Sequence, residues 1–103
     1  MILVRDVFRL KFGKTREALA AFKGIGEQAR KTGNFGAQSM RILTDLVGPY
    51  YTIVFEATHA DLASYERDSM KGMSDPEWKK AYSTFVPHVE SGYREIFTVH
   101  DMM

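Results

Sequence analysis

A chain of 103 residues with 45% hydrophobic and 13% aromatic content carries enough apolar surface for one compact domain, spanning 1–103, and is too short for two. Its 14 Lys and Arg against 13 Asp and Glu leave a formal charge of +1, and the basic residues are scattered, which argues against nucleic acid as a partner. No cysteine occurs, so disulfides, thiolate metal sites and a cysteine nucleophile are excluded, and a reducing, cytoplasmic setting is expected.

The opening Met1-Ile2-Leu3-Val4 meets Arg5-Asp6 at once, too short for a signal peptide. No later segment approaches the roughly 18 apolar residues of a membrane span, so a soluble protein without a membrane partner is expected. From Ile2 to Phe12 the chain alternates, with Ile2, Val4, Phe8, Leu10 and Phe12 on one face and Arg5, Arg9 and Lys11 on the other, which predicts a strand. Asp6 alone breaks the pattern, because its parity is that of the apolar face. A carboxylate there needs a partner such as Arg94, Arg41 or Tyr93, or must front a solvated cleft.

Gly13 ends the strand, and Thr15 with Glu17 opens a helix whose inward stripe is Leu19, Phe22, Ile25 or Gly26, and Ala29, stopped by Gly33-Asn34. Gly24 and Gly26 each cost about 1 kcal/mol relative to alanine inside a helix, which points to close packing against the sheet or to a pliable helix. A second strand is predicted from Ala37 to Leu46. Val47-Gly48-Pro49 turns it into a third, Tyr50 to Ala57, apolar on both sides.

Thr58 and Asp61 form a capping-box-like pair for a helix carrying Leu62, Tyr65, Met70 and Met73, with His59 in its first turn. Ser74 and Glu77, with Pro76 in the first turn, repeat that signature for a short helix running to Pro87, and Trp78 is placed near a sheet edge. The last strand is Gly92 to about His100, with Tyr93, Phe97 and Val99 against Arg94, Ile96 and Thr98. This order predicts a ferredoxin-like α+β fold, βαββαβ, a four-stranded antiparallel sheet with helices on one face. The other face, with Leu3, Val7, Tyr50 and Val54, would be left bare, and a second copy of the chain is the simplest cover.

The segments Phe8-Arg9-Leu10-Lys11-Phe12-Gly13-Lys14 and Asp75-Pro76-Glu77-Trp78, followed by Lys79-Lys80-Ala81-Tyr82, resemble the dimeric α+β barrel proteins. The likeness is to the NIPSNAP-like branch in particular, with antibiotic-biosynthesis-type monooxygenases as cousins. It covers essentially the whole chain. It implies a homodimer whose sheets face each other, and a cleft between sheet and helices in each subunit. It implies no single reaction, since such families include poorly characterised proteins, cofactor-free oxygenases of aromatic polyketides and haem-degrading enzymes. The haem-degrading pattern of a first-strand asparagine, a helix tryptophan and an iron-ligating histidine is not met. Asp6 stands in place of the asparagine, Tyr82 in place of the histidine, and Trp78 follows the proline segment instead of preceding it.

The candidate cleft residues are therefore Asp6 and Tyr82 for chemistry, and Trp78, Phe85, Met70 and Tyr93 for binding an apolar or aromatic metabolite. Each also has a structural reading: Trp78 and Tyr82 as core closure, Asp6 in an ion pair, and Met70, Met73, Met102 and Met103 as soft core filling. His59, His88 and His100 lack metal-site spacing, and Lys23-Gly24-Ile25-Gly26 lies inside a helix instead of after a strand, so no metal and no nucleotide or other cofactor is expected. Two classes of function stay open: a non-catalytic small-molecule-binding homodimer, and a cofactor-independent monooxygenase in which Asp6 and Tyr82 assist proton removal.

Overall fold

Strand alternation at the start of the chain builds β1 (Ile2–Leu10), which turns Val4, Asp6, Phe8 and Leu10 toward the helices. The computed structural model describes residues 1–101, so Met102 and Met103, read above as soft apolar residues, lie outside the described residues. Phe12 leaves the apolar face on which alternation placed it. It lies past the strand end, 85% exposed, with its ring on Tyr51.

Helix α1 (Thr15–Lys31) buries Ala18, Phe22, Ile25 and Ala29, a stripe at spacings of four, three and four that faces the sheet. Gly24 and Gly26 do not serve close packing, because a Cβ built on either would meet nothing within 4 Å. A 3₁₀ turn, Gly33–Gly36, then leads to β2 (Ser39–Thr44), shorter than expected at both ends. The connection to β3 (Thr52–His59) is longer than a tight hairpin, and Asp45 Oδ1 closes it by accepting from the Thr52 N–H at 2.9 Å. Tyr50 therefore falls in this turn, 74% exposed, and not on the bare sheet face. His59 ends β3 and is buried, instead of opening the next helix.

Helix α2 (Leu62–Met73) starts at Asp61, whose side chain accepts from the Ser64 N–H at 2.7 Å. Thr58 is no part of this cap; it stays in β3 with its hydroxyl 2.7 Å from that of Ser39. Helix α3 (Pro76–Phe85) is likewise capped by Asp75, which accepts from the Glu77 N–H, while Ser74 closes α2. Pro76 occupies the first turn, where its missing N–H costs nothing. After a 3₁₀ turn at Val86–His88, β4 (Val89–Thr98) begins earlier than Gly92.

The strands pair antiparallel in the order β2-β3-β1-β4, and the chain has the ferredoxin-like α+β fold. Its core joins α1 to the sheet through Leu10, Ala18, Phe22, Ile25, Ile53 and Phe85. Phe85 has no exposed surface and meets Phe8 and Phe22 edge-on at 5.1 Å each, so its truncation should cost about 3 to 5 kcal/mol.

The helix-free face carries one row of four charges in strict strand register: Arg41 on β2, Glu56 on β3, Arg5 on β1 and Glu95 on β4. Glu56, buried, accepts from Arg41 Nε at 2.7 Å and from Arg5 Nε at 3.2 Å, and Arg5 Nη1 donates to Glu95 at 3.0 Å. The adjacent row is apolar or aromatic throughout: Leu43, Val54, Val7 and Tyr93.

Candidate functional site

Between the inner face of the sheet and the three helices lies a cavity of about 200 Å³. Alternation on β1 delivers Val4, Asp6 and Phe8 to it, and alternation on β3 delivers Phe55, Ala57 and His59. Helix α2 contributes Tyr65 and Ser69, α3 contributes Trp78 and Tyr82, and the turn after α1 contributes Phe35.

Its polar wall is continuous. Arg94 stands opposite Asp6 in the β1–β4 register and donates from Nε to Asp6 Oδ1 at 2.5 Å; the aspartate side chain is 16% exposed and the arginine 49%. The Arg94 guanidinium carbon lies 5.9 Å from the Tyr65 ring centroid, and that ring meets His59 at 5.0 Å. Burial pulls the Arg94 pKa down, but the bond and charge of Asp6 more than offset it, so the guanidinium stays charged. Burial also pushes the Tyr65 phenol up and the His59 imidazole down, the latter only partly opposed by the charge of Asp68. Both are thus neutral near pH 7.

The opposite wall is aromatic. Trp78 stacks on Tyr82 at 5.0 Å and 17°, as their spacing of four on one helix allows, and meets Phe35 edge-on at 5.7 Å. Phe35 holds a left-handed backbone, φ 54°, and presses on α2 at Gly72, where a Cβ would come within 2.0 Å of the Phe35 ring. Gly72 is therefore a packing requirement of α2. Two buried polar atoms on cavity residues, Trp78 Nε1 and His59 Nδ1, find no hydrogen-bond partner among the described residues.

Asp6, Tyr82 and Trp78, all singled out from the sequence, meet at this cavity. The other three do not. Phe85 is sealed in the core beneath, Met70 is 71% exposed on the outside of α2, and Tyr93 lies on the opposite face of the sheet, paired with Val7 and 60% exposed. Hydrophobicity marked these residues correctly as apolar but could not say which way each faces. His59 and Tyr65 were missed as site residues; the β3 alternation Ile53, Phe55, Ala57 runs on to His59, and a cap at Asp61 turns Tyr65 inward one turn later. Among the described residues no three His, Asp or Glu side chains gather closely enough to hold a metal ion. None of the described helices is long and apolar enough to cross a membrane.

No protein-family model matches this sequence, and no curated protein matches it either. Its fold has clear relatives among solved structures. An uncharacterised NIPSNAP domain protein from Burkholderia xenovorans superposes with a TM-score of 0.84 at 18% identity, covering 100% of this chain and 98% of that one. A NIPSNAP family protein from Agrobacterium tumefaciens gives 0.81 at 22% identity, covering 97% and 93%. An antibiotic biosynthesis monooxygenase gives 0.75 at 13% identity, covering 98% and 100%. The structural neighbours are thus NIPSNAP family proteins and antibiotic biosynthesis monooxygenase-like proteins, and the resemblance read from the sequence holds at the level of the ferredoxin-like fold.

Proposed function

We propose that this chain is a small-molecule-binding protein of the cytoplasm whose cavity takes a compact, uncharged aromatic or apolar molecule bearing a hydrogen-bond acceptor. The observation that carries this reading is the pairing of a stacked aromatic wall with an unanswered donor, Nε1 of Trp78, a residue of that same wall. A buried donor without a partner costs about 1 to 3 kcal/mol, and a ligand acceptor seated on it would recover that cost. Charge selects the ligand further, because Asp6 and Arg94 neutralise each other while burial keeps His59 and Tyr65 uncharged. The protein acts as a homodimer joined through the helix-free face, where Val7 and Leu3, half-buried, otherwise meet water.

Trp78 is the only tryptophan, so its fluorescence reports this site alone. Titration with uncharged aromatic ketones and phenols should change its emission and raise the melting temperature, whereas aromatic carboxylates should bind at least roughly tenfold more weakly. A panel with no response in either signal would overturn the proposal.

A second reading, cofactor-independent oxygenation of an aromatic or polyketide-like substrate, is favoured by the monooxygenase neighbour and by Asp6 and Tyr82 bordering the cavity. Oxygen uptake with a hydroxylated polycyclic substrate, lost in Asp6→Asn, is its test. Tight binding without uptake leaves the binding reading alone standing.

A further inference from the structure

The inward face of β3 carries Ile53, Phe55 and Ala57 and then ends in His59, a polar side chain only 3% exposed that borders the cavity. One more apolar residue would have continued the face. Instead the imidazole Nδ1 is buried and finds no hydrogen-bond partner among the described residues, an arrangement that costs free energy. The carboxylates around it are engaged elsewhere: Asp68, whose charge reaches the ring, accepts from Arg67 Nε at 3.2 Å, and Asp6 is bonded by Arg94. Tyr65 meets the imidazole ring to ring at 5.0 Å and 65°, a contact that positions it without bonding Nδ1. The cavity's other unanswered atom, Trp78 Nε1, belongs to the aromatic wall.

These two atoms ask for different chemistry. An indole N–H only donates, so Trp78 calls for an acceptor. Burial keeps His59 neutral, and a neutral imidazole carries a donor on one nitrogen and an acceptor on the other. A hydroxyl both donates and accepts, so it answers Nδ1 in either tautomer, whereas a carbonyl or ether oxygen answers only one. We propose that His59 forms a second polar subsite of the cavity, binding a hydroxyl of the ligand through Nδ1, so that the ligand class is a hydroxylated aryl ketone with its carbonyl on Trp78 and its hydroxyl on His59. The inference rests on the small-molecule reading above and adds to it the second functional group that the ligand must carry. A site with a buried hydrogen-bonding group discriminates against the analogue that leaves this group unanswered.

The probes are acetophenone and its meta- and para-hydroxy derivatives, compact aryl ketones that differ only in the hydroxyl, titrated by calorimetry into the wild type and into His59→Phe. At least one hydroxy derivative should bind the wild type about tenfold more tightly than acetophenone does. His59→Phe keeps a ring against Tyr65 and removes both nitrogens, so acetophenone should bind it as before while the preference disappears. His59→Gln, whose amide can bond a hydroxyl in its turn, should retain part of the preference. Acetophenone binding the wild type as tightly as both derivatives overturns the subsite and leaves the small-molecule reading standing, and so does a preference that survives intact in His59→Phe. Should His59→Phe fail to fold, the loss is read in His59→Gln, where an undiminished preference likewise overturns the subsite. Failure of all three compounds to bind the wild type overturns the small-molecule reading itself, and the subsite with it.

Discussion

Arg94 stands directly opposite Asp6 across the β1–β4 ladder and donates to it from Nε at 2.5 Å, so the one acid on the apolar face of β1 is matched by a cation on the neighbouring strand. The pair is half open to the cavity, so its worth lies between that of a surface and a buried bridge. A double-mutant cycle with Asp6→Asn and Arg94→Gln, followed by urea unfolding, should give a coupling of about 1 kcal/mol. A coupling near zero would free Asp6 from its structural part and strengthen its candidacy as a base.

Val54 is buried on the helix-free face, between Val7 and Leu43 in the apolar row. Val54→Asp would put an unpaired charge into the proposed interface and should convert dimer to monomer or aggregate in sedimentation velocity at micromolar concentration. A Val54→Asp chain that still sediments as the wild-type dimer would place the interface elsewhere.

Burial of His59 holds its pKa below the ordinary 6.5. The unfolded chain therefore takes up a proton near pH 6.5 that the folded chain refuses. Its contribution to stability is complete above that pH and is lost as pH falls through the window below it. Denaturation midpoints measured from pH 7.5 to 5 should decline, and His59→Gln should flatten the decline. Asp61 acts in a separate window: its carboxylate is held below the usual 3.8 by the bonds from Ser64, so its contribution fades only as pH falls below that value. A slope unchanged in His59→Gln would assign the titration to other groups.

Gly72 and Gly26 should respond oppositely to the same substitution. At Gly72 a Cβ would strike the Phe35 ring at 2.0 Å, so Gly72→Ala should destabilise the chain although alanine is the better helix former by about 1 kcal/mol, and should disturb Trp78 emission through Phe35. Gly26 also borders the cavity, but its Cβ would meet nothing within 4 Å. Gly26→Ala should raise stability by up to about 1 kcal/mol, and Gly26→Leu should block ligand binding by filling the space. Equal effects at both positions would mean that helix propensity alone governs them.

Periodicity and capping chemistry are local, and they made the elements readable: alternation over Ile2–Leu10 marks β1, the stripe of Phe22, Ile25 and Ala29 marks α1, and Pro76 marks the start of α3. From those elements the ferredoxin-like order follows, as does the inward parity of Asp6. The choice of Arg94 as its partner, among three candidates, was a matter of register between β1 and β4, residues far apart in the chain. The same holds for the cavity, whose polar and aromatic walls draw on five elements and a turn. Met70 and Tyr93 are as apolar as true lining residues, yet a helix phase and a strand parity carry them elsewhere. Amino-acid type and spacing determine what a segment becomes, because backbone sterics and hydrogen bonding act over a few residues; which side chains then share a cavity depends on packing between segments, which only the folded chain decides.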